Sequence, residues 1–322
     1  MKNLAAILVI TLLAFGCTNQ EKQANSDDKN KSELSGKISI SGAFALYPLT
    51  VQWAEQFKKL HPKVQIDISA GGAGKGMTDV LAGMVDIAMF SREVSEAEVQ
   101  NGAWYIAVAK DAVFPTCNIE NPHYQEIIKR GLTKGDFSLL FLNDKPKTWN
   151  DILKNKSNIK INVYTRSDAC GAAEMWAKYM DKKQEDLKGT GIFGDPGIAQ
   201  AVKNDKLGIG YNNLTFAYNI KTKTLHEGLA IIPIDLNEDG KITSDENFYS
   251  HIDTVIAAIQ KGKYPSPPAR NLYFISKGEP NKQVVKEFIK YVMTKGQEEV
   301  LSSGYVLLDS TTYSQEIKKI GL

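Results

Sequence analysis

Arg166 and Asp168 stand two residues apart in a short polar loop that runs through Cys170 and Gly171 into Ala172-Ala-Glu-Met-Trp-Ala-Lys-Tyr179. A guanidinium is a planar fork of N–H donors that suits tetrahedral oxyanions, and a carboxylate two residues away can orient it. Ala172, Met175, Trp176 and Tyr179 recur at helical spacing, so the loop sits at a helix N-terminus. Backbone N–H groups there lack intrahelical partners and carry the positive end of the macrodipole, which favours an anion. Two further loops precede helices in the same way: Ser41-Gly-Ala-Phe-Ala45, with Phe44 and Ala45 before Tyr47-Pro48, and Gly71–Gly76, containing Ala73 and Gly74. Ser91 and Arg92 follow a strand, and Arg92 is the second cation placed to counter ligand charge. Together these loops point to an oxyanion receptor.

Other chemistries fit less well. The glycine-rich loop fails as a nucleotide-binding P-loop, because Ser69 and Gly76 occupy positions that need a glycine and a hydroxyl. Cys170 at a helix N-terminus has the placement of an activated thiol. A tyrosine-phosphatase loop, however, needs an arginine six residues later, where this chain has Trp176. No Gly-x-Ser-x-Gly elbow occurs, and the four histidines have no metal-binding spacing. The expectation is a binding protein and not an enzyme, with no organic cofactor.

A second constellation has its own chemistry. Asp235-Leu-Asn-Glu-Asp-Gly-Lys-Ile-Thr-Ser-Asp-Glu246 matches the twelve-residue EF-hand-like calcium loop without a gap. Asp235, Asn237 and Asp239 take its first three ligand positions, Gly240 the turn, Lys241 the carbonyl, Thr243 the water-mediated position and Glu246 the bidentate one. The expectation is a structural Ca2+ site, with a metal-free acidic turn as the alternative. A strand, Ile231–Ile234, precedes the loop, and Phe248, Ile252, Val255 and Ile259 form one face of the helix expected after it.

The elements that must position these loops alternate. Ile38–Ile40, Val64–Ile68 and Val85–Phe90 read as strands. Between them lie a helix opening at Tyr47-Pro48, with Leu49, Trp53 and Phe57 on its buried stripe, and a helix expected from Met77 to about Met84. Strand–loop–helix alternation indicates α/β architecture, with ligands bound at the strand C-terminal ends. Trp104–Phe114 is another strand-rich run, and Cys117–Pro122 reads as a crossing into a second lobe. That lobe holds the strand Ile159–Tyr164, a helix from Ile198 and the strand Ile209–Tyr211, and the chain returns near Lys263–Pro268. Lobe 1 is therefore assigned to 37–115 plus 268–322, and lobe 2 to 116–267.

At 322 residues and a net charge of +2 without a basic block, the chain does not suggest nucleic acid as its partner. Lys2 followed by the apolar run Leu4–Phe15 reads as a signal peptide over 1–16, too short for a membrane span. Ala14-Phe15-Gly16-Cys17 resembles a bacterial lipobox, with Cys17 as the lipidated N-terminus and an ordinary cleavage site as the alternative. The polar stretch 17–36 then reads as a lipidated tether. The protein is expected outside the cytoplasm, in the periplasm or at the cell surface, anchored to a bacterial membrane. Cys117 and Cys170 remain, and their spacing demands no disulfide.

Gly42–Pro48, the glycine-rich loop, Val85–Arg92, Arg166–Gly171 and Arg270–Phe274 occur in an order and context that resemble the phosphate-binding proteins of phosphate ABC importers. The resemblance spans Lys37 to Leu308. It implies a type II periplasmic binding protein: two α/β lobes joined by two hinge crossings, acting as a monomer. Such a protein closes around phosphate or a related oxyanion and delivers it to an ABC importer permease. Carried over, the ligand set is Phe44, Ala45, Ala73, Gly74, Ser91, Arg92, Arg166, Asp168, Cys170, Gly171 and Ala172. The family places side-chain hydroxyls in three of these loops, where this chain has Phe44, Ala45, Ala73, Cys170 and Ala172. A hydrogen bond to a charged group contributes about 1.5–3 kcal/mol, so losing several of them weakens phosphate binding unless other donors compensate. A tethered sensor or receptor for a different anion, using the same cleft, is the alternative reading.

Overall fold

Each short apolar run in the first third of the chain ends in a loop and then a helix whose apolar stripe covers the sheet. The computed structural model describes residues 33–145 and 147–322. The first elements are β1 (Ser35–Gly42), α1 (Tyr47–Leu60), β2 (Lys63–Ala70), α2 (Ala73–Leu81), β3 (Ile87–Phe90), α3 (Glu96–Gln100) and the long β4 (Ala103–Asn118). Next come α4 (Tyr124–Arg130), α5 (Lys134–Phe141), α6 (Trp149–Leu153), β5 (Asn162–Arg166), α7 (Gly171–Tyr179), β6 (Thr190–Ile192) and α8 (Gly194–Asn204). The chain closes with β7 (Gly208–Asn213), α9 (Leu214–Ala217), β8 (Leu229–Ile231), α10 (Ile252–Gln260), β9 (Ala269–Lys277), α11 (Gln283–Met293) and α12 (Ser310–Lys318).

The strands form a continuous path, β2-β1-β3-β9-β4-β7-β5-β6, with β8 added to β4. β1 is parallel to β2 and β3, while β9 is antiparallel to both β3 and β4. One strand, β4, serves two sets of neighbours: Ala103–Ala112 pair with β9, and Val113–Cys117 pair with β7. The register slips between Ala107 and Ala109, a bulge that increases local twist. Buried apolar residues divide accordingly. Ile38, Leu49, Trp53, Phe57, Phe90 and Phe288 belong to one core. Phe114, Phe137, Trp149, Trp176 and Tyr211 belong to the other large core, and Ile198, Val202 and Leu229 form a small third cluster. The C-terminal segment closes the first core over α1, where Trp53 Nε1 donates to Gly296 O at 2.8 Å and Tyr305 Oη to Ala45 O at 2.8 Å. The α/β fold class expected from the strand–helix alternation is the one observed.

Several boundaries differ from expectation. β1 begins at Ser35, two residues before the expected start of the folded part. α2 begins at Ala73 and not at Met77, so most of the glycine-rich stretch is the helix's first turn. The partner exchange along β4 occurs inside a continuous strand, ahead of the expected crossing at Cys117–Pro122. Phe248 lies before α10, which starts at Ile252. Cys117 and Cys170 are free and buried. The expected signal peptide, Cys17 and nearly all of the tether lie outside the described residues. Among the described residues no helix is long and apolar enough to cross a membrane.

Candidate functional site

Arg166 closes β5, which is paired on both sides by parallel strands, and its side chain is buried. Carboxylates engage three of its five N–H donors. Nε and Nη2 donate to the two oxygens of Asp168 at 2.8 and 2.6 Å, and Nη1 donates to Asp195 Oδ2 at 2.5 Å. Burial opposes the charge, but Asp195 and Asp168 outweigh that and hold the guanidinium pKa above its ordinary value. Asp168 is fixed in turn: its Oδ1 accepts the Gly194 N–H at 3.0 Å and its carbonyl accepts from Gln184 Nε2 at 2.7 Å. The Phe44 ring covers the guanidinium, 5.6 Å from ring centre to Cζ, and meets Phe193 edge-to-face at 5.8 Å. Arg166 and Asp168 thus form the expected pair, with a second carboxylate added.

That second carboxylate leads into a buried polar chain. Asp195 Oδ1 accepts from Asn213 Nδ2 at 2.5 Å, and Asn213 Oδ1 accepts from Arg270 Nη2. Arg270 Nε donates to Ser91 O at 3.2 Å, and its Nη2 lies 3.4 Å from Asp111 Oδ2. Asp111 sits on β4 and Arg270 on β9, so the chain of contacts runs from the Arg166 site to the two strands shared between the cores. Burial, opposed by Arg270, pushes the Asp111 carboxyl up to about 6. The aspartates at 111, 168 and 195 outnumber the arginines at 166 and 270, so the buried network has no spare positive charge.

The loops close directly on one another. The Gly74 N–H, expected to face a ligand, donates to Ala169 O at 3.1 Å. A Cβ on Gly72 would lie 2.9 Å from Asp168 Oδ2, and one on Gly171 would lie 2.2 Å from Ser91 O. Glycine at these positions lets the start of α2 and the strand end at Ser91 meet the β5–α7 loop. Ala45, Ala73 and Ala172 are buried beside them, at the starts of α1, α2 and α7. Cys170 caps α7 through Sγ, which accepts the Ala173 N–H at 3.4 Å, the role a serine hydroxyl would take. Burial pushes its thiol up to about 12, which removes the activated-thiol reading.

Arg92, the second expected cation, has a local partner. Its guanidinium binds both oxygens of Glu98, at 3.0 and 2.7 Å, and rests 4.4 Å from the centre of the Phe90 ring. Glu98 also closes the capping box that starts α3 from Ser95. Arg92 therefore holds a helix start in place. In contrast, Asp195, Asn213 and Arg270 are site residues that sequence pattern does not single out. Their signals are weak: an Asp-Pro pair in the first turn of α8, and an arginine that counts only as part of a longer motif.

The residues of the expected calcium loop lie elsewhere, between β8 and α10. Asp235 and Glu246 are buried there, and Asn237, Asp239, Lys241 and Thr243 lie on the turn between them.

With this geometry in view, comparison with known proteins gives a consistent result. The phosphate-binding protein PstS of Staphylococcus haemolyticus is 25% identical over 321 residues, covering 98% of this chain and 94% of the relative. The PstS of Staphylococcus aureus strain USA300 is 26% identical over 292 residues, covering 89% and 83%. Among solved structures, an ABC-type phosphate transport receptor from Vibrio cholerae superposes with a TM-score of 0.60 at 19% identity, covering 84% of this chain and all of that one. A family model described as a PBP superfamily domain matches residues 23–295. The chain belongs to the PBP superfamily.

Proposed function

We propose that the chain is an extracytoplasmic, lipid-anchored solute-binding protein that captures phosphate or a related oxyanion for an ABC importer. One observation carries the reading: the starts of three helices, drawn from both cores, meet around the β5–α7 loop, which begins at the buried guanidinium of Arg166. Phe44 precedes α1 and covers Arg166, Gly74 in the first turn of α2 bonds to Ala169, and Gly171 starts α7 against Ser91. Such N-termini offer backbone donors that survive any side-chain change, so Ala45, Gly171 and Ala172 are the proposed ligand contacts. Asp168 orients the fork. Arg92 and the Gly74 N–H drop out of the proposed set, since both are already engaged.

Capture requires the two halves to part and close again, with β4 and β9 as the hinge strands. A ligand oxygen entering the site takes the place of one Arg166 contact, and the Asp195 contact is the one proposed to yield. Its carboxylate has Asn213 to fall back on. The names of the relatives agree with binding rather than catalysis. Delivery to a permease and anchoring through Cys17 are parts of the same reading.

The buried charge balance favours a second reading alongside it. With both arginines neutralised, a dianion meets little net attraction beyond the helix N-termini, so a tethered receptor for a less charged anion fits the same cleft. Thermal unfolding with phosphate, arsenate, sulfate, molybdate and small organic anions separates the two. Stabilisation by phosphate at millimolar concentration or below supports capture of phosphate. No response to phosphate with a response to an organic anion replaces the first reading by the second.

A further inference from the structure

We infer that the loop Asp235–Glu246 is a calcium site, with Asp235, Asn237, Asp239, the Lys241 carbonyl and Glu246 as ligands and Thr243 acting through water. The loop is already wound for this. Asp235 Oδ2 accepts the Gly240 N–H at 2.9 Å, Asn237 Oδ1 the Asp239 N–H at 3.1 Å, and Asp239 Oδ1 the Lys241 N–H at 3.1 Å. Each carboxylate or amide spends one lone pair on the turn and keeps others for an ion. Gly240 takes the left-handed conformation, φ 80°, that the sharp turn of a calcium loop requires.

The second observation is independent of the turn. Asp235 is only 1% exposed, and its Oδ1 has no hydrogen-bond partner. A buried carboxylate oxygen without a donor is costly, and a cation bound within the loop removes that cost. The lysines nearby are committed at the rim, Lys263 to Asp245 at 2.8 Å and Lys241 near Asp239 at 3.8 Å.

Glu246 has to reorient before it can serve as the bidentate ligand. Its oxygens accept from the N–H groups of Leu236, Asn237 and Thr243 and from Thr243 Oγ1. Among the described residues, no three acidic, histidine or cysteine side chains are grouped ready to hold a metal. Binding therefore turns Glu246 from these donors onto the ion, which makes the site modest in affinity. Extracellular calcium modules bind on the order of 10⁻⁴–10⁻³ M. A loop that offers a bidentate carboxylate and a carbonyl suits calcium over magnesium, which demands a small octahedral shell.

The loop's position assigns the ion a structural role. Ile242 packs against Gly131, and its N–H donates to Lys129 O at 2.9 Å. The Asp235 N–H donates to Leu132 O at 3.0 Å, and the Ile234 N–H to Tyr249 Oη at 3.3 Å. Calcium would tie the α4–α5 turn to the segment entering α10, within the second core.

The test is calorimetric titration of the chelator-treated protein with calcium and, separately, magnesium, with thermal unfolding as a second readout. The expected result is saturable calcium binding, a midpoint raised by several degrees at about 10 mM calcium, and a weaker magnesium response. Glu246→Gln and Asp235→Asn should each weaken calcium binding at least tenfold, while Asp245→Asn, which removes only the rim pair with Lys263, should leave it unchanged. No saturable calcium heat in the wild-type protein up to 10 mM overturns the assignment, whatever the variants do. Equal responses to both metals, or undiminished binding in a folded Glu246→Gln or Asp235→Asn protein, also overturn it. None of these outcomes depends on whether phosphate binds.

Discussion

Replacing Gly171 by alanine probes closure without touching a charged group. A Cβ there would lie 2.2 Å from Ser91 O, 2.3 Å from Ser91 Oγ and 2.5 Å from the Ser91 carbonyl carbon. Ordinary contact begins near 3.5 Å, so the α7 start and the Ser91 segment must separate by about 1 Å. Two of the three obstructing atoms are backbone, which a rotamer change cannot move. Overpacking of this kind costs about 1–3 kcal/mol. Gly171 is the first residue of α7 and belongs to one core, whereas Ser91 extends β3 in the other. The cost therefore falls on the closed arrangement and not on either core. At 1.4 kcal/mol per tenfold change, the affinity for phosphate should fall about 5- to 150-fold. The ligand-free unfolding midpoint should move by no more than a degree or two. Calorimetric titration with phosphate, paired with thermal unfolding of the ligand-free protein, measures both. Wild-type affinity in Gly171→Ala would refute the claim that ligand capture uses this contact. A collapse of ligand-free stability would refute the assignment of strain to closure.

Other consequences can be checked separately. Arg166→Ala strands two buried carboxylates, so urea unfolding should show a loss of about 3–5 kcal/mol, and anion-linked stabilisation should vanish. Adding Asp195→Ala should recover part of the stability but none of the binding. For Asp111, a folded pKa of about 6 lies above the ordinary carboxylate value, so the folded state holds this proton more tightly. Its contribution to stability is then fully present below about pH 4 and is lost as pH rises through about 6. Asp111→Asn should flatten the pH dependence of the unfolding midpoint across that window, and an unchanged slope would rule the group out. Phe193, 60% exposed at the edge of the Phe44 ring, should be dispensable for folding. Phe193→Ala should speed ligand release in stopped-flow measurements with little change in melting temperature.

Much of the fold is legible in the sequence because it follows from local pattern. Leu49, Trp53 and Phe57 repeat at helical spacing and are all buried on α1. The start of α2 is not legible, since Gly74 and Gly76 are poor helix formers and argue for a loop. Tertiary contact decides there: a Cβ on Gly76 would lie 2.8 Å from Gly42 Cα, so the helix can pack on β1 only if that position is glycine. In the candidate site, Arg166 and Asp168 are readable because they are neighbours in sequence. Asp195, 29 residues further on, becomes a partner only when α8 packs beside β5. The Arg92–Glu98 pair is hidden for a different reason: an arginine after a strand resembles a ligand contact, and Glu98 has a second, local task in the capping box.

The sharing of β4 and β9 between the two cores also constrains assembly. β9 fills the gap between β3 and β4, yet it is made more than 150 residues after the first half of β4. As the chain emerges from its N-terminus, residues 35–112 have an open slot at the centre of their sheet, with unpaired apolar strand edges on either side. Residues 113–267 have their strand partners among themselves and can pack while that slot stays empty. The middle of the protein can thus mature before the two ends are joined, and the first-made segment stays open to mispairing until β9 is in place.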